Sequence, residues 1–177
     1  MNRMLAALLV LRAWDLSLCI RLNRAARNRA LLAFFRAVSW LGNGIFWYGL
    51  MLAMLLHDPV SAALPVVHMA SAGLIAALTY KLLKQGTLRP RPYQVHQHIA
   101  AGAQPLDQFS FPSGHTLHAV TFSMTACAYF PALVALLVPF TLLVALSRMV
   151  LGLHYPSDVL AGAALGLAIV LGTFPAF

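Results

Sequence analysis

A chain of 177 residues that is 61% hydrophobic and only 9% charged, with a mean hydropathy of +0.80, cannot clothe a water-soluble globule. Soluble domains run near half apolar and about a quarter charged, so a disordered chain, a secreted disulfide scaffold and an ordinary cytosolic enzyme are excluded. What remains is a polytopic membrane protein. Its charge is lopsided: 12 Lys and Arg stand against four acids, all Asp, for a net +8. With this apolar content the basic excess suits anionic lipid or a phosphorylated substrate at a membrane surface, and not nucleic acid. Cys19 and Cys127 sit in apolar stretches and supply neither a C-x-x-C pair nor a disulfide framework.

The N-terminus Met1-Asn2-Arg3 leads into an apolar run with no small-residue cleavage pattern, so it reads as retained rather than as a signal peptide. Met4–Leu22 is long enough to span, yet it carries Arg12, Asp15 and Arg21. Arg12 and Asp15, three apart, can pair on one helix face. Charge at mid-bilayer is costly, which favours a helix lying in the interface, with a sixth crossing as the alternative. Trp40–Leu56 reads as a first span, with Trp40, Trp47 and Tyr48 as interfacial anchors. His57-Asp58-Pro59 breaks the chain, and Val60–Leu83 makes a second span with Pro65 near its first turns. The apolar run from Gly114 to Val150 is too long for one crossing and divides at Pro131, giving His115–Phe130 and Ala132–Ser147 as a hairpin. Ser157–Thr173 is the last span, and its Gly162, Ala163, Gly166 and Gly172 allow close helix approach. The expectation is an all-α integral membrane helical bundle of five transmembrane helices plus an N-terminal interfacial helix. Residues 1–36 form a basic N-terminal segment and 37–177 the transmembrane core.

Ionisable residues near spans are functional candidates by default, and here they form three clusters. Lys84–Pro92 reads Lys-Gln-Gly-Thr-Leu-Arg-Pro-Arg-Pro; Phe111–Thr116 opens a span; Ser147-Arg148, His154 and Asp158 close one span and open the next. The span pattern returns all three to one membrane face. Arg offers forked donors and Lys a point charge for a tetrahedral oxyanion. Ser113 and Gly114, at a helix start, add free amides and the positive dipole end. Asp158 can accept Nδ1–H of His154, leaving Nε2 free to attack phosphorus, while His115 can donate to the departing oxygen.

Lys84…Arg91-Pro92, Pro112-Ser113-Gly114-His115 and Ser147-Arg148…His154…Asp158 together resemble the tripartite signature of the type 2 phosphatidic acid phosphatase family, kin to the vanadium haloperoxidases. Every key position is filled in order and at the family's spacing, over roughly Val60 to Thr173. The resemblance implies that His154 is the nucleophile forming a phosphohistidine, Asp158 its orienter and His115 the acid for the leaving group. It implies that Lys84, Arg91, Ser113, Gly114 and Arg148 hold the phosphoryl oxygens. With four Asp in the chain and only Asp158 at the site, no metal and no cofactor are expected. Family spacing selects Arg91 over Arg89, which reads as a lip residue or auxiliary lipid contact.

Blander readings compete. Single Lys or Arg residues at helix ends snorkel as anchors, but three at family spacing do not fit that account. A serine-hydrolase triad at Ser113 lacks a G-x-S-x-G elbow. His96 and His98 read as solvated loop residues rather than metal ligands, His118 as a pocket or packing residue, and His57 and His68 as packing. Asp15, Asp58 and Asp107 read as structural. The expected substrate is a lipid phosphomonoester or diphosphate, of undecaprenyl diphosphate, phosphatidate or phosphatidylglycerophosphate type. A vanadate-binding haloperoxidase-like enzyme or a non-catalytic lipid-phosphate binder is the alternative. Partners are membrane lipids, with no nucleic acid. The resemblance to bacterial enzymes points to the cell inner membrane with a periplasmic site, against the positive-inside rule, which would put the basic face in the cytoplasm.

Overall fold

The structure, a computed structural model, describes residues 3–105 and 107–176; Met1 and Asn2, which open the N-terminal run, lie outside the described residues. Among the described residues all regular structure is helical. In chain order the elements are α1 (Arg3–Asn23), a 3-10 turn (Arg24–Arg27), α2 (Arg29–Leu41), α3 (Ile45–His57), α4 (Pro59–Thr87) and the short α5 (Pro92–Val95). α6 (Gly114–Tyr129), a second 3-10 turn (Pro131–Leu133), α7 (Val134–Val150) and α8 (Pro156–Thr173) complete the bundle. Helix starts are written locally. Asn28 accepts from the amides of Ala30 and Leu31 to cap α2, and Asp58 accepts from Val60 and Ser61 to cap α4, with Pro59 following. Each such cap is worth about 1 kcal/mol.

Three stretches are long and apolar enough to cross a membrane: Pro59–Val95, Pro131–Val150 and Pro156–Ala176. α2 and α3, bent by 53° at their junction, make a fourth if taken as one. Length and composition therefore give three or four crossings, against the five read from the sequence; α6, with 16 residues, is too short to register alone.

The first expected span needs correction. Trp40–Leu56 is not one helix: α2 ends at Leu41, and Gly44, at φ 119°, turns the chain into α3. A hydropathy window runs through this Gly-Asn-Gly break because the flanks are apolar on both sides. Trp47 is also no interfacial anchor. It is fully buried, donates from Nε1 to the Gly42 carbonyl at 3.2 Å, and packs on Phe46, Phe122 and Phe140. Trp40 and Tyr48, 61% and 68% exposed, keep the outward position an anchor needs.

α6 is the central helix, packed against α4, α7 and α8. Its approach to α8 depends on missing side chains: a Cβ at Gly162 would stand 2.6 Å from the Ser113 carbonyl oxygen, and one at Gly166 2.8 Å from that of Leu117. Leu52, Leu56, Val60, Leu82, Leu142 and Leu171 point outward and exposed, a surface suited to hydrocarbon and not to water. At one end of the bundle His68 packs as expected, bonded to Tyr129 Oη at 3.0 Å and Thr173 Oγ1 at 2.8 Å. The other end is polar. There Asn23 ties α1 to the Ala100 and Val150 carbonyls at 3.0 and 2.9 Å, and Arg36 Nε reaches the Gly102 carbonyl at 2.5 Å.

Candidate active site

The polar end is assembled from helix termini. α4 carries Lys84 in its last turn and ends at Leu88, whose φ of 43° is left-handed. Arg89-Pro90-Arg91-Pro92 then runs extended, since a residue before proline avoids the helical region. This swings Arg91 inward, where it is 1% exposed. Its Nη1 donates to the Leu153 carbonyl at 2.8 Å and faces His154 Nε2 at 3.3 Å, while Nε and Nη2 reach Asp107 at 3.2 and 2.9 Å. Lys84 bonds the same Asp107 carboxylate.

α6 contributes Ser113, Gly114 and His115 from its first turn. Ser113 stands at the N-cap position, where its Oγ lies 2.9 Å from Thr116 Oγ1 and bonds no first-turn amide, and its own amide donates to the Asp158 carbonyl at 3.0 Å. Gly114 lies against the Tyr80 ring, 2.6 Å from where a Cβ would sit. His115 borders two cavities. One, of about 190 Å³, is lined by Gly44, Trp47, Tyr80, His118 and Phe122; the other, of about 180 Å³, by Arg36, Ser39, Asn43, Gln104 and Arg148. Asn43, in the α2–α3 break, lines both, so the bend missed by hydropathy shapes the space around His115.

α7 ends on Arg148, which bonds Ser39 of α2 through Nη1, and its buried Nε has no hydrogen-bond partner among the described residues. The chain then turns through Gly152, whose φ of 69° and 2.6 Å approach of a Cβ to the Ala100 carbonyl exclude a larger residue. The amides of Leu153 and His154 fold back onto the Arg148 carbonyl. Asp158, in the first turn of α8, accepts at Oδ2 from the Tyr155 amide and Ser110 Oγ, both at 2.8 Å, and at Oδ1 from Arg89 Nη1 at 2.6 Å.

His154 Nδ1 stands 3.7 Å from Asp158 Oδ2, beyond hydrogen-bond length, and has no hydrogen-bond partner among the described residues. Arginine has only donors to offer. Arg91 at 3.3 Å therefore requires the lone pair on His154 Nε2, which puts the proton on Nδ1, toward Asp158. Burial is the main cause holding the imidazole down to about 4; Arg148 and Arg91 add to it and Asp158 opposes them. At neutral pH the ring is uncharged with Nε2 free to act as a base or nucleophile.

All eight residues singled out in the sequence thus meet at one end of the bundle. Three others complete the site. Arg89 is not a lip residue: it bridges Asp158 to Asp15 of α1 at 2.6 and 2.7 Å. Asp15 accordingly pairs with Arg89, not Arg12. Asp107 is the acid that meets Lys84 and Arg91. Its signal in the sequence was being the single acid in the long polar loop.

An all-helical membrane protein with buried cations, a neutral histidine and a helix start converging on one point is built to take an oxyanion. Residues 65–177 match the PAP2 superfamily, and the chain belongs to it. It is 39% identical over 103 residues to the decaprenylphosphoryl-5-phosphoribose phosphatase of Mycobacterium tuberculosis, covering 56% of this chain and 55% of that one. It is 27% identical over 150 residues to the lipid A 1-phosphatase of Rhizobium johnstonii, covering 82% and 50%. The chain spans about half the length of these curated relatives. Among solved structures, LpxE of Aquifex aeolicus superposes with a TM-score of 0.78 at 25% identity, over 91% of this chain and 94% of that one. The transmembrane PAP2-type phosphatidylglycerolphosphate phosphatase of Bacillus subtilis shares the fold at a TM-score of 0.68 and 22% identity, over 99% and 96%.

Proposed function

We propose that the protein is a membrane lipid phosphatase that hydrolyses a phosphomonoester or diphosphate of a lipid through a phosphohistidine, without metal or cofactor. The observation that carries the reading is the 3.3 Å approach of Arg91 Nη1 to His154 Nε2, which calls for a lone pair on Nε2 facing the buried cations. An incoming phosphoryl group replaces that contact. Lys84, Arg91, Arg148, the Ser113 hydroxyl and the first-turn amide of Gly114 then hold the equatorial oxygens as the transferring group loosens, the Ser113 amide being committed to the Asp158 carbonyl. Nε2 bonds to phosphorus while the bond to the leaving oxygen breaks, the lipid oxygen of a monoester or the bridging oxygen of a diphosphate. His115 gives that oxygen its proton, and Asp158 steadies the proton on Nδ1 of His154 as the ring becomes cationic. Water, losing a proton to His115, then attacks the phosphohistidine, releasing inorganic phosphate and restoring His154.

In this reading residues 37–177 are the phosphatase core and 1–36 a basic N-terminal segment with α1 in the interface. The α2–α3 pair, α4, α6, α7 and α8 make five crossings. The acyl or polyprenyl tail leaves the site past Trp47 and Phe122, the apolar side of the cavity that borders His115. Relatives named for a polyprenyl phosphoribose and for lipid A support a substrate whose phosphate is carried on a large lipid. The site faces the periplasm across a bacterial inner membrane. Phosphate release, with EDTA present, from phosphatidate, phosphatidylglycerophosphate, undecaprenyl diphosphate and a phosphorylated polyprenyl sugar tests the proposal. Release from at least one is expected; activity abolished by EDTA and restored by Mg²⁺ would refute the histidine mechanism.

A further inference from the structure

Asp15 lies on α1, fifty residues before the family match begins at residue 65, yet its carboxylate joins the charge system of Asp158. We propose that Asp15 and Arg89 are positioning residues of the phosphatase site. Together with Asp158 they form a carboxylate–guanidinium–carboxylate chain that fixes Asp158 and keeps it a net negative partner for His154. The inference rests on the reading of His154 as nucleophile and Asp158 as its orienter.

The geometry is that of one shared fork. Arg89 Nη1 donates to Asp158 Oδ1 at 2.6 Å and to Ser157 Oγ at 2.8 Å, and Nη2 donates to Asp15 Oδ2 at 2.7 Å. The Ser157 amide donates to Asp15 Oδ1 at 2.8 Å, so Asp15 also caps the first turn of α8. The guanidinium lies over the Tyr155 ring at 4.2 Å. Asp15 and Asp158 are 1% and 0% exposed. A salt bridge that merely docked a helix would need only one cation on the bundle surface. Here the cation's other arm holds the orienting carboxylate itself.

Counting charge explains why two carboxylates share it. Arg89 with Asp158 alone is neutral and offers little to a ring that turns cationic as Nε2 forms its bond to phosphorus. Asp15 on the second arm returns the chain to a net charge of −1, and low surrounding polarity makes that charge felt. The planar guanidinium fork serves both carboxylates at once, one from each terminal nitrogen. Oδ2 of Asp158 is meanwhile held by Ser110 and the Tyr155 amide. The charged and titratable groups around His154 are Asp158 of α8, Arg91 ahead of α5, Arg148 of α7 and His115 of α6, while Cys19 of α1 touches its carbonyl.

Asp15→Asn keeps the shape and the acceptor for Ser157 while removing the charge. With phosphatidate in mixed detergent micelles, kcat is expected to fall about tenfold with KM within about twofold. The acid limb of kcat/KM should move to lower pH, because less negative charge near His154 disfavours its protonated form. Asp15→Glu should recover most of kcat and the wild-type limb. Asp15→Asn combined with Arg89→Gln removes one charge of each sign, and should outperform Asp15→Asn alone with the limb back near its wild-type position. That pair also covers a fold that does not tolerate a single unpaired buried charge. A folded Asp15→Asn with wild-type kcat and limb overturns the proposal, as does a double variant whose losses simply multiply. His154→Ala in the same series separates the two levels. Full turnover there defeats the nucleophile assignment; loss there beside an unaltered Asp15→Asn defeats this inference alone.

Discussion

Arg91 donates from Nη2 to Asp107 Oδ1 at 2.9 Å, and Lys84 bonds the same oxygen. Two cations assigned to the phosphoryl group are therefore already met by a carboxylate. Burial alone would push the Asp107 carboxyl up. The bonds from Lys84 and Tyr80, with the charge of Arg91, outweigh it and hold the group below the usual carboxylate range. Asp107 is thus ionised at neutral pH and competes with phosphate for the same donors. Asp107→Asn should lower the inhibition constant of inorganic phosphate by about tenfold, the scale of one removed neighbouring charge. A rise in that constant would instead make Asp107 an organiser of the two cations.

The two histidines should fail differently. His154→Ala removes the proposed nucleophile, so protein quenched in alkaline detergent, where the acid-labile P–N bond survives, should carry phosphate in the wild type and none in the variant on any substrate. His115→Ala should slow expulsion of a lipid alkoxide by roughly 10²–10⁴-fold, the usual share of a general acid. On nitrophenyl phosphate, whose leaving group needs no proton, part of that loss should be regained. Equal losses on both substrates contradict the acid role.

What the sequence disclosed about this site follows from distance along the chain. Lys84 and Arg91, or His154 and Asp158, lie within one turn or loop of each other, so their spacing records the chemistry. Gly162 and Gly166 were legible because a close helix contact demands small residues wherever it occurs. Arg89 was misread because its partner Asp15 lies 74 positions away, and only the docking of α1 beside α8 joins them. The α2–α3 bend escaped for another reason: hydropathy averages over Gly42-Asn43-Gly44, and the backbone break carries no polarity of its own. Trp47 followed, since a tryptophan near a span end reads as an anchor until a bend turns it inward.

The α6–α8 contact sets the position of Ser113, so its tightness is testable. Gly162→Ala would place a Cβ 2.6 Å from the Ser113 carbonyl oxygen, backbone that cannot rotate away. A loss of ~1–3 kcal/mol in stability, typical of overpacking, is expected with a fall in phosphatase activity. Gly172→Ala, with nothing within 4 Å of its Cβ, is the control and should leave both unchanged. Equal melting temperatures in detergent for the two variants would show that the bundle yields at this contact.

Sidedness sets two physical arguments against each other. The α1–α2 connection, with Arg21, Arg24, Arg27 and Arg29, sits at the active-site end, tied there by Asn23. The opposite end holds the His57-Asp58 turn and the turn at Pro131, with no Lys or Arg in either. Counted as topology signals, the arginines would draw the site to the cytoplasm. Lys84, Arg91 and Arg148 drop out of that count if, as proposed, they hold the phosphate, and the remaining arginines can grip anionic headgroups from either side. The proposed periplasmic site therefore predicts that a membrane-impermeant thiol reagent on intact cells labels Gln97→Cys, an exposed loop position, and spares His57→Cys at the other end. Both are to be made with Cys19 and Cys127 replaced by Ala. His57 is chosen over Asp58 because Asp58 caps α4. Labelling at 57 with protection at 97 would invert the orientation and make the arginine count the better guide.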